Sequence, residues 1–320
     1  MPELPEVETI ARMLRPQILG REICSAQLLW PGTLASPSEV EFMTQVRGQR
    51  IADVSRRGKF LQLQLQPAIP GQPPLTLFIH LRMSGDLYVR AGDYSPEKHD
   101  RLILALPETC LVFNDTRKFG RVWLTPDPRE VIGALGPEPL DPAFTPGVFH
   151  QMLVSRRRQL KPLLLDQTFL AGLGNIYTDE ALHMARLHPL RSSDRLTAGE
   201  ATRLWKSIRD TLRMGIANNG ASIDWVYRGG GYQNHFRVYG RTGQPCPVCG
   251  TPIERILVGQ RSTHFCPGCQ PGGIAPALGT SSSAGTSVPP ERTSSPLGDA
   301  ALAYPPGQAG TTPAAQLTEA

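Results

Sequence analysis

Near the N-terminus, hydrophobic residues recur at the spacing of an amphipathic helix. The stretch PEVETIARMLRPQIL (5–19) repeats apolar residues every three or four positions, so that Val7 and Leu14 share one face. Pro5 suits the first turn of a helix, because a proline there loses no intrahelical hydrogen bond. The pattern predicts a helix with one buried face, and Pro16 leaves its last turn open.

Residues 22–125 change to the alternating pattern of β-strands. In KFLQLQLQ (59–66), Leu61, Leu63 and Leu65 fall on one face and glutamines on the other. Further short apolar runs, separated by Gly, Pro and Asp clusters, lie at 75–80, 86–89, 101–106, 110–115 and 121–124. Regular short strands with hairpin-length gaps predict an antiparallel β-sandwich.

Helical periodicity follows the Pro-rich segment 135–147. Thr197 and Glu200 begin the strongest helical stretch with the signature of a capping box. The predicted helices lie at 147–155, 162–166, 175–186 and 197–218. The chain is therefore expected to be an α+β protein in which a strand domain precedes a helical one.

The last fifty residues and the charge say less about function. Residues 271–320 are rich in Ser, Thr, Pro, Ala and Gly, which bury too little apolar surface to offset ordering entropy, so a disordered tail is expected. This tail carries one arginine and three acids, which leaves a net charge of +7 on residues 1–270. A basic body is compatible with a polyanionic partner without requiring one. With no membrane span or signal pattern, the expected location is the cytoplasm.

Four of the six cysteines form two CxxC pairs, Cys246–Cys249 and Cys266–Cys269, separated by sixteen residues. Four thiolates at this spacing suit one tetrahedral Zn²⁺ with no open coordination position, so the predicted role of the metal is structural. Free cysteines or a redox pair are the weaker alternatives. Arg261 lies in the polar tip between the pairs, where a solvated charge is the ordinary interpretation.

Glycines 172 and 174 interrupt LLDQTFLAGLGNIYTDEAL (164–182) just before a predicted helix. A glycine turn at a helix N-terminus presents free N–H groups and could hold a phosphate. The alternative is an ordinary helix start with Asn175 as its N-cap. The basic run 156–158 and Lys161 lie just upstream.

Large side chains occupy two turns of the strand region: Met83 in HLRMSG, and Arg117 and Phe119 in NDTRKFG. One interpretation places Met83 and Phe119 in the core and Arg117 on the surface. The other is a set of wedges that fill a gap in a base stack. Periodicity alone does not choose between them.

Taken together, the motifs resemble the bacterial formamidopyrimidine-DNA glycosylase family, which excises oxidised purines such as 8-oxoguanine. They run in order from Met1 to about Gln270 and include MPELPEVET, RRGKF, HLRMSG, PEKHD, DTRKFG, LGPEP, LKPLLLDQ, GLGNIY, VYGRTGQPCPVCG and QRSTHFC. The implied architecture is an N-terminal antiparallel β-sandwich with an N-terminal helix (1–134), a hinge (135–147), a helix–two-turn–helix DNA-binding domain (148–235), a zinc finger (236–270) and the tail (271–320).

The resemblance also implies catalytic roles. Pro2, exposed when Met1 is removed, matches the amine that attacks C1′ of the damaged nucleotide and forms an iminium; a terminal amine titrates near about 8. Glu3 matches the acid that protonates the sugar ring oxygen. Lys59 matches a lysine that contacts phosphate and assists β-elimination, and Arg261 an arginine that grips flanking phosphates and supports δ-elimination.

Other positions match residues that bind damaged duplex DNA. Met83, Arg117 and Phe119 match the side chains that fill the void left by the extruded base, with Arg117 facing the orphaned cytosine. The remaining residues expected on DNA are His99, Arg156, Lys161 and Asn175. The resemblance further implies one Zn²⁺, no small-molecule cofactor, no membrane, a monomer, and a cytoplasmic location on the nucleoid.

Two other functions remain open. An endonuclease VIII-like enzyme for oxidised pyrimidines is disfavoured by Leu4, since that branch typically begins PEGPE, and by the complete set of wedge residues. A zinc and helix–two-turn–helix module that only binds nucleic acid would need no defined N-terminal residue. One departure from the family is the glycine-rich stretch 228–240, which is shorter than the usual loop over a flipped base.

Overall fold

The computed structural model describes residues 1–67, 71, 73–222 and 229–272. Nearly all of the tail expected to be disordered, and part of the glycine-rich stretch 228–240, lie outside the described residues. No helix within the described part of the chain is long and apolar enough to cross a membrane.

Seven α-helices are present among the described residues. The N-terminal helix continues through Pro16 to Ile18. A proline cannot donate to the carbonyl four residues earlier, here that of Arg12. Because Arg12 and Pro16 both lie on the exposed face, water can take the place of that hydrogen bond. The helices are α1 (Leu4–Ile18), α2 (Glu39–Val46), α3 (Arg129–Ile132), α4 (Pro146–Val154), α5 (Leu160–Leu165), α6 (Asn175–Ala185) and α7 (Ala198–Ala217).

The strands form two larger sheets and one hairpin. They are β1 (Ser25–Leu28), β2 (Leu34–Ser36), β3 (Arg50–Arg57), β4 (Phe60–Gln66), β5 (Leu75–His80), β6 (Gly85–Ala91), β7 (Asp100–Leu106), β8 (Thr109–Asp115), β9 (Arg121–Thr125), β10 (Glu254–Val258) and β11 (Arg261–Phe265). One sheet has the order β2-β9-β5-β4-β3, the second β1-β7-β8-β6, and β10 pairs with β11.

The two larger sheets share one hydrophobic core, as a sandwich requires. Leu61, Leu63 and Leu65 of β4 are all fully buried, which follows from the alternation in the sequence. The sequence pattern predicts antiparallel strands, but β2 runs parallel to β9 at the edge of its sheet.

Helix α2 interrupts the region that the sequence pattern assigns to strands. Ser38 and Glu41 form a capping box at its start: the Glu41 amide donates to the Ser38 hydroxyl, and the Ser38 amide donates to the Glu41 carboxylate. Phe42 and Val46 are its buried residues. The SxxE signature was therefore the available sequence signal for this helix.

Helix α1 belongs to two cores at once. Val7 and the residues after it on the buried face pack into the sandwich core, whereas Leu4 packs into the core of the helical region. The Leu4 amide also donates to the carbonyl of Gly172 at 3.0 Å, in the turn before α6. The N-terminus of the chain is therefore held where the sandwich and the helical region meet.

The β10–β11 hairpin places Arg261 beside its tip. Val258 pairs with Arg261, and the two residues between them, Gly259 and Gln260, both have left-handed backbone angles, with φ of 54° and 60°. Two residues in this conformation make a type I′ turn, which matches the natural twist of a hairpin. The turn thus fixes the backbone of Arg261 at a defined point, and its side chain is exposed.

Candidate active site and metal centre

The Glu3 side chain occupies the N-terminus of α6. Its carboxylate accepts hydrogen bonds from the amide of Gly174 at 2.6 Å and from the amide of Ile176 at 2.9 Å. These are amides that the first turn of a helix leaves without an intrahelical partner. Glu3 is only 2 % exposed, so the interaction joins the start of the chain to the helical region in a buried setting.

This arrangement changes the interpretation of the glycine turn at 172–174. The sequence leaves open a phosphate cradle or an ordinary helix start there, and the anion that the amides bind is the carboxylate of Glu3. Gly174, not Asn175, is the N-cap residue. A Cβ at Gly174 would lie 2.3 Å from Cδ of Glu3, so the absence of a side chain is what lets the carboxylate approach.

Glu6 fixes the backbone around Glu3. Its carboxylate accepts from the Glu3 amide at 2.7 Å, from the Tyr177 hydroxyl at 2.6 Å and from the Ala221 amide at 2.8 Å. The three donors come from the residue before α1, from α6 and from the segment after α7. The residue before the helix is therefore held in one orientation by groups far apart in sequence.

Lys59 is presented by the tight turn between β3 and β4. Gly58 has φ of +57°, and its amide donates to the carboxylate of Glu138. Glu138 also pairs with Arg56 at 2.7 Å and Arg57 at 2.9 Å. The glutamate of the LGPEP motif thus holds the RRGKF turn against the helical region.

Burial and nearby charges shift the pKa values of Glu3 and Lys59. Burial raises the pKa of Glu3 from 4.5 to about 7, although Lys59 favours its charged form. Burial likewise lowers the pKa of Lys59, with Arg261 acting in the same direction and Glu3 opposing it. These shifts show that the charges of Glu3, Lys59 and Arg261 act on one another. A carboxylic acid that keeps its proton near neutral pH can serve as a general acid.

Lys161 is not placed to contact a DNA backbone, contrary to the expectation from sequence. It is 0 % exposed, and its ammonium group pairs with Asp179 at 2.5 Å and donates to the carbonyl of Ser262 at 3.2 Å. The Asn175 amide group donates to the same carbonyl at 3.0 Å. Both residues therefore hold the residue next to Arg261 and set the position of the hairpin tip.

The wedge residues lie on the surface. Met83 is 40 % exposed, Phe119 is 46 % exposed, and Arg117 stacks over the Phe119 ring with Cζ 4.8 Å from its centroid. Two large apolar side chains left in water at neighbouring turns favour the wedge interpretation over the core one.

The two other predicted DNA-binding residues occupy separate parts of the molecule. His99 is half-buried before β7, with Nδ1 3.3 Å from the guanidinium of Arg101. Arg156 is exposed after α4, and its carbonyl accepts from the Ser193 hydroxyl. Their contacts with DNA, like that of Asn175, stay predictions.

The four cysteines of the two CxxC pairs converge. Their sulfur atoms all lie within 4.8 Å of one another, and Cys249 Sγ is 3.4 Å from Cys266 Sγ. Tetrahedral zinc–thiolate bonds of about 2.3 Å place sulfurs about 3.8 Å apart, so the site fits Zn²⁺. On the helical side, Nε2 of the buried His183 lies 3.4 Å from Sγ of Cys246.

Two buried acids in α6, Asp179 and Glu180, have anchoring roles that the sequence pattern does not assign. Asp179 accepts from Lys161 and from the His264 amide at 2.9 Å. Glu180 accepts from three consecutive amides of residues 237–239 at 2.8–3.0 Å. Both anchor the C-terminal segment to the helix. In the sequence, the sign of this role is a pair of adjacent acids among residues that the helical pattern buries.

Comparison with protein-family models covers most of the described chain. The N-terminal domain of formamidopyrimidine-DNA glycosylase matches residues 1–122, its H2TH domain matches 135–226, and the zinc finger found in FPG and IleRS matches 243–272. The chain belongs to the formamidopyrimidine-DNA glycosylase family. The family expected from the motifs is therefore confirmed, together with the α+β fold class and the four-cysteine site for one structural zinc ion.

Curated members of the formamidopyrimidine-DNA glycosylase family match along almost their full length. The protein of Chloroflexus aurantiacus is 48% identical over 280 residues, covering 84% of this chain and 98% of the relative. That of Pelotomaculum thermopropionicum is 44% identical over 279 residues, covering 84% of this chain and 99% of the relative.

Solved structures of the family include complexes with DNA. Lactococcus lactis Fpg bound to an oxidised-pyrimidine-containing DNA has a TM-score of 0.78 and 37% identity, covering 85% of this chain and 100% of that one. The same protein bound to abasic-site DNA has a TM-score of 0.77 and 36% identity, covering 84% of this chain and 100% of that one.

Proposed function

We propose that this chain is a base-excision-repair enzyme that removes oxidised purines, 8-oxoguanine and formamidopyrimidines, from duplex DNA and then cleaves the strand as an AP lyase. The observation that carries the proposal is the buried Glu3 carboxyl at the N-terminus of α6, directly after Pro2, with a pKa raised to about 7. An acid beside an N-terminal secondary amine is the pair that opening a deoxyribose ring requires.

The first step is displacement of the damaged base. Once Met1 is removed, the nitrogen of Pro2 attacks C1′, and the bond from C1′ to the base breaks with its electrons leaving on the base; the proton of the secondary amine is released to the departing base, which leaves in its neutral form. Glu3 then gives its proton to the ring oxygen, so that the C1′–O4′ bond opens and the nitrogen–carbon iminium forms. Retained Met1 would leave Pro2 nitrogen as an amide without a nucleophilic lone pair.

Strand cleavage follows from the iminium. Its positive charge makes the C2′ proton acidic, and loss of that proton expels the 3′ phosphate in β-elimination. We propose that Lys59 contacts phosphate and assists this step, and that Arg261 grips the flanking phosphates for δ-elimination at the 5′ side. Burial lowers the pKa of Lys59, which favours a group that gives up a proton more readily than an exposed lysine.

Substrate binding involves the exposed wedges and the basic surface. We propose that Met83 and Phe119 fill the gap left by the extruded nucleotide and that Arg117 faces the opposite cytosine. His99, Arg156 and Asn175 are proposed contacts to the DNA backbone. All of these groups come from one chain, so a monomer without a small-molecule cofactor suffices.

A second lesion class needs testing, because Lactococcus lactis Fpg has been solved with an oxidised-pyrimidine-containing DNA. An endonuclease VIII-like preference for oxidised pyrimidines is therefore the alternative function. Comparing excision of thymine glycol with excision of 8-oxoguanine in otherwise identical duplexes decides between the two preferences.

Borohydride trapping tests the proposed chemistry directly. With an 8-oxoguanine or abasic duplex, the wild type is expected to give a covalent adduct of protein and DNA, because borohydride reduces the iminium to a stable amine. Pro2→Gly should lose most of the adduct, whereas Pro126→Gly, at an exposed proline after β9, should retain it. Absence of any adduct from the wild type would contradict the proposal, and so would intact-mass analysis showing that Met1 is retained.

A further inference from the structure

Two exposed turns of the sandwich carry the wedge residues. The Met83 turn (residues 81–84) lies between β5 and β6, and the Phe119 turn (residues 116–120) lies between β8 and β9. Side chains that enter a base stack must keep their spacing while they displace stacked bases. A buried group that joins the two turns is therefore a candidate for setting that spacing.

Asp115, at the end of β8, makes this connection. Its side chain is 1 % exposed, and Oδ1 accepts from the Ser84 hydroxyl of the Met83 turn and from the Arg117 amide at 3.2 Å. Its Oδ2 accepts from the Gly120 amide at 2.7 Å. One carboxylate thus binds both turns.

Ser84 closes the network. Its oxygen accepts from the Arg117 amide at 3.2 Å while its hydroxyl donates to Asp115. The Arg117 backbone is therefore bonded to both partners. A Cβ at Gly120 would lie 2.4 Å from the Phe113 ring and 3.2 Å from Asp115 Oδ2. The end of the Phe119 turn at Gly120 is therefore also tightly packed.

We infer that Asp115 is a positioning residue that locks the Met83 and Phe119 turns into one rigid wedge and thereby sets discrimination of the base opposite the lesion. This inference rests on the proposed function. Because the carboxylate is buried and bonded within the protein, it acts through Ser84 and the amides on either side of Phe119. Donors approach both carboxylate oxygens, Oδ1 from Ser84 and Arg117 and Oδ2 from Gly120. The position therefore requires a side chain with two acceptor oxygens.

The milder test variant is Ser84→Ala, which removes the link between the turns but leaves Asp115 bonded to both amides of the Phe119 turn. Asp115→Asn is the stronger variant, since it replaces one acceptor with a donor opposite another donor. Asp127→Asn is the matched control, because Asp127 is an exposed acid bonded to Arg129 outside both turns.

Two kinetic readouts separate positioning from general damage. We expect Ser84→Ala to lower kcat/KM for 8-oxoguanine opposite cytosine about tenfold and to reduce the preference for cytosine over adenine in the opposite strand. Borohydride trapping on single-stranded abasic DNA, which has no opposite base, should stay at the wild-type level. An unchanged opposite-base preference, or a parallel fall in single-strand trapping, would overturn the inference.

Hydrogen exchange tests the lock without any activity. In the free protein, the Arg117 and Gly120 amides should exchange at least tenfold faster in Asp115→Asn than in wild type or Asp127→Asn. Equal exchange would refute the lock. If wild-type protein gave no adduct with any damaged DNA, the proposed function would fail, whereas the exchange result would still decide whether Asp115 holds the turns.

Discussion

Glu3, the proposed general acid, shows how burial gives a short acidic side chain a pKa near neutrality. The amides of Gly174 and Ile176 favour its charged form, yet burial outweighs them and raises the pKa to about 7. Its side chain is held in a single position by these bonds, while its backbone is held by Glu6. The hydrogen bonds therefore orient the acid, while burial leaves it able to carry a proton near neutral pH.

The raised pKa of Glu3 predicts the pH dependence of base excision. Below about 7 the carboxyl is protonated and can donate; as pH rises through about 7 it loses the proton, so the single-turnover rate should fall. Glu3→Gln should be slower by roughly 10²-fold or more and should lack this alkaline decline. Rates measured from pH 5.5 to 9 check this, and an identical alkaline decline in both proteins would assign it to another group.

At the scale of elements, the proposed active-site residues are positioned by a helix N-terminus and by tight turns. The first turn of α6 binds Glu3, and its later residues Asp179 and Glu180 hold the C-terminal segment. The helix thus connects the proposed chemistry at one end with the zinc region along its length. A substitution beside Glu3 should therefore affect base excision, whereas a substitution beside the cysteines should affect zinc binding.

Gly174→Ala should displace the acid without removing it. The new Cβ would lie 2.3 Å from Glu3 Cδ, which forces the carboxylate out of the helix N-terminus. Since misplacement by about 1 Å can cost 10²-fold, a loss of that order in excision rate is expected. Gly199→Ala in α7 is the control, because its Cβ meets nothing within 4 Å; it should leave the rate unchanged and stabilise the protein slightly. Equal rates in all three proteins would argue against a role for the Glu3 position.

His183 should stabilise the zinc site from α6. When Cys246 binds zinc as a thiolate, the neighbouring Nε2 favours the tautomer that donates a hydrogen to sulfur. His183→Phe keeps the ring volume but removes the donor, so zinc should transfer to a chelating indicator about 10- to 100-fold more readily. His188→Phe, on the loop after α6, is a comparison variant. Unchanged zinc transfer in His183→Phe would show that this contact is only packing.

At the scale of the whole molecule, the net positive charge predicts how DNA binding depends on salt. The described body is basic, and log K for binding DNA should fall linearly with log salt because counterions are released from phosphates. Arg261→Ala should reduce the magnitude of this slope by about 1, as loss of one phosphate contact does. Arg129→Ala, which removes an exposed arginine already paired with Asp127, should not. Binding titrations between 50 and 200 mM salt distinguish the two, and equal slopes would remove Arg261 from the phosphate contacts.

Much of the architecture follows from local patterns along the chain. The alternation in β4, the capping box of α7 and the spacing of the CxxC pairs each involve residues close in sequence, and each appears as predicted. Helix α2 had a readable capping signature, yet the surrounding strand pattern concealed it. Local periodicity reports which residues share a face; it does not report which distant group that face meets.

The sequence by itself determined most of the strands and helices, though not α2 or α3, together with the zinc ligands and, through its motifs, the family. Tertiary structure decided that Glu3 rather than a phosphate occupies the start of α6, that Lys161 is buried beneath the finger, and that Asp115 joins the two wedge turns. The physical reason is distance along the chain. Glu3 and Gly174 are 171 residues apart, and Lys161 and Ser262 are 101 apart, so only the packed fold brings each donor to its acceptor.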